Sequence, residues 1–217
     1  NECISSVIEI EDGTYIAVGS FYSSSIDLGN EIELNSKGVY DGMIIKYKEK
    51  EIEGGLIKEA KKIEGSDGYE YIYSVAGTSD GGYIAGGEFS SSSICLENGI
   101  VLNNKSSHLS YYDGVIIKYN SKDELEWAKT VGGSKDEQIE SIAETRAGEY
   151  ILAGQFSSSS VDLENGITLN NNGKYDGMII KYSDSGDVEW AKSVQGGLDE
   201  EIRSVTETRD GGYIVGG

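Results

Sequence analysis

The chain of 217 residues carries 38 acidic against 18 basic side chains, a net charge of −20, with 30 glycines and no proline. That balance repels phosphate backbones and anionic headgroups, which excludes nucleic acid as a partner class. No apolar run approaches the ~18 residues of a membrane span, which excludes membrane insertion by a helix, and 15 tyrosines with many β-branched residues exclude a disordered tract.

Along the chain, short apolar runs alternate with Gly, Asn, Asp and Ser, a strand pattern without a 3.6-residue period. The opening predicts strands over Ile4–Ile10 and Tyr15–Tyr22. A segment DGMIIKY then begins at Asp41 and recurs as DGVIIKY from Asp113 and DGMIIKY from Asp176. A second landmark reads GTYIAVG at Gly13, GGYIAGG at Gly81, GEYILAG at Gly148 and GGYIVGG at Gly211. The chain is therefore an array, with units at about 1–67, 68–134 and 135–197 and a half unit at 198–217. The landmark tyrosines Tyr15, Tyr83, Tyr150 and Tyr213 are 68, 67 and 63 residues apart. The extra residues fall in polar stretches, between Tyr47 and Ala60 in unit one and between Leu96 and Asp113 in unit two, where loops belong.

Unit three serves as the template. It predicts strands over Gln138–Thr145, Glu149–Ser157, Gly177–Tyr182 and Val188–Val194, a four-stranded antiparallel meander. Between its second and third strands, apolar residues alternate on both sides of Asn165-Gly166, a pair suited to the positive φ angles of a type I′ turn, and predict a protruding hairpin. Asn98-Gly99 repeats it in unit two, and Gly29-Asn30 holds turn-prone residues in reversed order in unit one. The closing pair, Ile202–Thr208 and Tyr213–Gly217, repeats strands one and two, so the expectation is a piece of a longer array. Continuous runs such as Val115-Ile116-Ile117 and Met178-Ile179-Ile180 require a sheet covered on both faces. A parallel β-solenoid is the rival architecture, with shorter repeats as a rule.

The candidate site residues follow the repeat. Asp41, Asp113 and Asp176 each precede a glycine at the entry to strand three. Such an Asp caps the local backbone while the Gly takes a strained φ, or else, with Asn170, Asn171 and Asn172, contributes oxygen ligands to Ca²⁺. Calcium is thus the one cofactor considered, against none. Trp127 and Trp190 occupy equivalent places in EWAK, where unit one has Glu59. A position that accepts Glu belongs on an exposed outer edge strand, where an indole packs locally or stacks on a sugar. Serine runs lead into the hairpins, whose tips at Asn30, Asn98 and Asn165 would form one ligand-binding rim. His108 lacks the partners of a catalytic or zinc set, and Cys3 and Cys95 form no CxxC site.

The DG(M/V)IIKY segment, the following SDSGDVEWAKSV and the YI(A/V)GG strand together resemble the bacterial β-propeller repeat family of exported proteins, over nearly the whole chain. The resemblance implies an all-β, propeller-type array of four-stranded antiparallel blades and a prokaryotic extracellular or cell-surface location. The resulting expectation is a non-catalytic binding or adhesion scaffold for a protein or glycan ligand. Two alternatives are a self-assembling extracellular polymer and the glycan-binding accessory part of a larger enzyme.

Overall fold

In a computed structural model the described residues are 2–11, 13–48, 56–65, 67–106, 108 and 110–217; the unit-one insertion lies largely at 49–55, outside them. Unit one is a meander of β1 (Glu2–Glu11), β2 (Thr14–Phe21), β5 (Asp41–Lys48) and β6 (Leu56–Gly65), with a hairpin of β3 (Ser25–Asp27) and β4 (Glu33–Asn35) inserted between β2 and β5. Unit two repeats it with β7 (Glu70–Gly77), β8 (Tyr83–Phe89), β11 (Asp113–Tyr119) and β12 (Leu125–Val131), around the hairpin β9 (Ser93–Cys95) and β10 (Val101–Asn103). Unit three follows with β13 (Glu137–Glu144), β14 (Tyr150–Phe156), β17 (Asp176–Tyr182) and β18 (Val188–Val194), around β15 (Ser160–Asp162) and β16 (Thr168–Asn170). The pair β19 (Ser204–Glu207) and β20 (Tyr213–Gly216) ends the chain. Every pairing between these strands is antiparallel, and the unit-three boundaries fall within a residue of those expected.

The sheets stack, and the stacking explains the uninterrupted apolar runs. Ile16, Val18 and Ile44 of the first sheet share a core with Ile72, Val75, Tyr83, Ala85, Val115 and Ile117 of the second. Ile84 and Ile116, on the second sheet's other face, join Leu152, Met178 and Ile180 of the third. Ile151 and Ala153 then meet Ile202 and Val205 of the last pair. Successive side chains on one strand therefore enter different cores, and each full burial stabilises by roughly 1.5–3 kcal/mol. The first sheet's outer face is the exception, since Tyr15, Ala17, Ile45, Tyr47, Ile57 and Val7 line an open hollow of about 480 Å³. The equivalents of the first four in unit two, Tyr83, Ala85, Ile117 and Tyr119, are at most 1% exposed beneath sheet one.

First strands of successive units lie side by side, with the amides of Ile142 and Val205 donating to Ser74 Oγ and Ser141 Oγ of the preceding unit at 3.2 Å. Each complete first strand carries a bulge, between Ile4 and Ser6, Ile72 and Ser74, and Ile139 and Ser141. Opposite it the second strand needs glycine: a Cβ on Gly87 would stand 1.9 Å from the Tyr71 carbonyl oxygen, and one on Gly154 1.8 Å from that of Gln138.

The hairpins do not protrude. One face of each is apolar and lies down on the sheets: Leu34 packs with Met43 and Ile45, Ile94 and Leu102 with the first core, and Val161 and Leu169 with the second. β9 even pairs with β6 of the preceding unit. Folding back covers the exposed edges of the fourth strands, which would otherwise invite pairing. Asn98 and Asn165 adopt φ of 58° and 61°, and the glycine after each is also positive, as an Asn-Gly turn demands. In unit one the equivalent pair is Asn30-Glu31, at φ 54° and 66°, so the turn sits one residue later than Gly29-Asn30 implied.

Candidate functional site

The three aspartates mark the seams between units. At each seam a glutamate amide at the start of the next unit donates to the carbonyl of the tyrosine before the aspartate: Glu70 to Tyr40 at 2.8 Å, Glu137 to Tyr112 at 2.7 Å and Glu200 to Tyr175 at 2.9 Å. Asp41, Asp113 and Asp176 are fully buried, and their Oδ2 atoms accept from the amides of Lys37 (3.0 Å), Lys105 (2.6 Å) and Asn172 (2.9 Å). The backbone-capping role holds, but the following glycine has another reason. Gly42, Gly114 and Gly177 lie in extended strands where a Cβ would press on Ile72, Ile139 and Ile202 at 2.8 to 3.1 Å. Glycine serves close packing there, not a strained φ.

Glu70 and Glu137 are also fully buried, with Gly65 and Gly133 amides donating to them at 2.9 and 2.6 Å. Burial, reinforced by the charge of Asp113, pushes Glu137 up to about 8 against the donors from Ser158 and Gly133. Burial likewise pushes Glu70 and Asp113 up to about 7. The Oδ1 atoms of Asp41 and Asp113 have no hydrogen-bond partner. Two of the asparagines proposed as further calcium ligands are engaged elsewhere: Asn171 Nδ2 donates to the Phe156 carbonyl at 2.8 Å while its Oδ1 accepts from Gly173 at 2.8 Å, and Asn172 Nδ2 donates to Gln195 at 3.1 Å. Among the described residues no three His, Cys, Asp or Glu side chains gather as a metal centre requires.

The tryptophans fill seams rather than stand on an open edge. Trp127 is half-buried, stacks over Tyr182 at 6.3 Å between centroids, tilts against Tyr150, and donates from Nε1 to the Asp184 carbonyl at 3.1 Å, all in the next unit. Trp190 meets Tyr213 in the same way. Where unit one has Glu59, Lys61 takes over the covering role: its ammonium lies 5.1 Å above Tyr119, held by Glu59 at 2.7 Å and Glu97 at 2.8 Å. A cation over a ring has replaced a ring over a ring, which is why Glu is tolerated at a packed position. Asn30, Asn98 and Asn165 are exposed at the hairpin tips, and His108, Cys3 and Cys95 are exposed as well. A cleft of about 460 Å³ between the second and third hairpins is crossed by the Lys129–Glu164 pair at 2.7 Å.

The convergence of unlike groups occurs elsewhere, along the outward positions of the first strands. In β7 these are Tyr71 and Tyr73, preceded by Tyr69; the equivalents are Cys3 and Ser5 in β1, Gln138 and Glu140 in β13, and Glu201 and Arg203 after unit three. Tyr22, Tyr40 and Tyr112 join Tyr69, Tyr71 and Tyr73 in a run of rings with centroids 5.1 to 6.4 Å apart. Tyr22 is 55% and Tyr69 36% exposed. Glu88 lies opposite Tyr71 in the sheet, 3% exposed, and accepts from the Tyr73 phenol, while its Oε2 has no partner. Burial pushes it up to about 7. In the next unit Gln155 donates to Gln138, its register partner, and its own Oε1 is buried and unpaired. Tyr175 donates to Asp136 at 2.9 Å beside them. None of these residues was singled out from the sequence. The available signal was negative: apart from Tyr40, Tyr112 and Tyr175, which recur before each aspartate, they are positions at which aligned units disagree.

Compared with protein-family models and with curated proteins, the chain has no match in either. No helix among the described residues is long and apolar enough to cross a membrane.

Proposed function

We propose that the chain is a non-catalytic binding scaffold built as a propeller-type stack, with the first-strand row as its ligand surface. The observation that carries this is the division of labour among positions. Residues at the seams recur from unit to unit, whereas the tyrosine, glutamate and glutamine side chains of the row differ in each unit yet stand together. Rigid repeats supporting a varied surface suit recognition, since the scaffold limits the entropy lost when a ligand orders the surface. The prokaryotic surface or extracellular setting, and a protein or glycan as ligand, rest on the resemblance of the repeat motifs. Printed arrays of glycans and of peptides test the reading, using the full chain beside a Tyr69→Ser/Tyr71→Ser/Tyr73→Ser variant and a variant with Asn30, Asn98 and Asn165 changed to Asp. Binding abolished by the first and kept by the second supports it; the reverse returns the ligand surface to the hairpin tips.

Self-assembly is a second reading, favoured by the open hollow at Tyr15, Ala17 and Tyr47, whose counterparts in unit two are covered by a neighbouring sheet. Sedimentation across a concentration range distinguishes a monomer from an open-ended polymer.

A further inference from the structure

The Glu88 end of the row has features that point to the chemistry of its ligand. Glu88 Oε2 and Gln155 Oε1 lie there without a well-formed hydrogen bond, both shielded from water, with the Gln138 side chain beside the Glu88 carboxyl. The two oxygens belong to neighbouring units, on the strand pairs Tyr71/Glu88 and Gln138/Gln155. A buried acceptor left unpaired costs about 1–3 kcal/mol, so a ligand that supplies donors at both gains what the free protein lacks. The rings of Tyr69, Tyr71 and Tyr112 border the same place and offer apolar surface with phenol groups at its edge.

We infer that this end of the row binds an uncharged glycan, hydroxyl groups donating to Glu88 and Gln155 while the C–H face of a sugar ring lies against the tyrosines. The inference rests on the scaffold reading above and narrows it. Burial pushes Glu88 up to about 7, so near neutral pH it carries less than a full charge, and the carboxyl and the neighbouring amide together suit hydroxyl partners better than an ammonium ion, whose desolvation that reduced charge compensates poorly. Asp136 and Glu140 add negative charge around Glu88, which repels uronic acids and sulfated or sialylated sugars. Tyr73 must turn aside for the ligand to reach Glu88, exchanging one phenol donor for a sugar hydroxyl.

The test titrates the full chain with neutral cello-, chito- and manno-oligosaccharides, a polygalacturonate oligomer, and tetramethylammonium as the cationic probe, followed by calorimetry and by the tyrosine ring resonances. A neutral oligosaccharide is expected to bind and to shift the ring resonances of Tyr69, Tyr71 and Tyr112. Its affinity should fall at least tenfold in Glu88→Gln and in Tyr71→Ala, with Gln155→Glu also weakened; melting curves verify that each variant is folded. Where a variant is unfolded, the resonance shifts in the native chain decide. Binding only of the uronate or of tetramethylammonium, or neutral-sugar binding that leaves those rings and variants unaffected, overturns the assignment. A peptide bound in place of sugars, and lost in the same variants, overturns the glycan assignment while the scaffold reading stands. Sugar binding that follows Asn30, Asn98 and Asn165 instead defeats both the assignment and the row.

Discussion

The seam between units two and three and the row along β7 and β13 lie within a few residues of each other, yet they obey opposite rules. At the seam the backbone contacts recur: Tyr-Asp-Gly on one side, Glu-x-Ile on the other, and a glycine, Gly114, whose absent Cβ would stand 3.0 Å from Ile139. Along the row nothing recurs, and the space opposite the bulge holds Tyr71, Gln138 or Glu201 according to the unit. A repeat protein must satisfy the same packing at each junction, because no unit can hide its apolar faces alone. Positions that do not face the junction escape that constraint and are available for recognition.

The sharpest way to break this comparison is at the seam. Ile139 is fully buried in the core shared by sheets two and three, so Ile139→Ala should cost about 3–4 kcal/mol in urea denaturation. Tyr69→Ala, in the row, should cost less than about 1 kcal/mol. Equal losses would mean that the row is as structural as the seam.

Next comes acidity. Glu137, buried against Asp113, has a folded value near 8, above its ordinary 4.5. Its contribution is fully present below the unfolded value and is lost as the pH rises to and through about 8, because the unfolded chain releases the proton first. The native chain should therefore lose stability between pH 5 and 8, by up to ~1.4 kcal/mol per pH unit for this group. Glu137→Gln keeps the neutral form at every pH, so its stability curve should be flatter over that window. A Glu137→Gln curve parallel to that of the native chain would show that the pair is ionised in the fold.

Within the row, Tyr73→Phe deletes the one phenol that donates to Glu88 and leaves a buried carboxyl with less support, at an expected cost of about 1–2 kcal/mol at pH 8. The loss should shrink at pH 5, where burial favours the protonated acid. A pH-independent loss would assign the effect to packing of the ring instead.

Much of the stack was legible in the sequence because its causes are periodic. The units, the four strands of each, the left-handed Asn-Gly turns and the double-faced apolar runs all follow from spacing and residue type. What escaped depends on neighbours that spacing does not name. The hairpins lie down because Ile94 and Val161 find cores already built by other units. Trp127 reads as exposed next to Glu59 until Lys61 is seen covering Tyr119. Glu88 and Gln155 carry no motif, and only the stacking of units two and three brings them to one place.

The smallest effect tests the repeat at its least constrained point, a hairpin tip. Glu31 holds φ 66° where the other two tips have glycine, and a left-handed residue with a side chain costs about 1–2 kcal/mol. Glu31→Gly should raise stability by roughly 0.5–1 kcal/mol after the entropy of the added glycine is subtracted. Gly166→Ala should lower it by a similar amount, since the third tip needs φ 73° at that position. Opposite signs at equivalent positions of two units would show that backbone geometry is shared even where residue identity is not. An unchanged melt for Glu31→Gly would mean that Glu31 has a compensating role, and the first hairpin tip would then belong with the row among the positions kept for recognition.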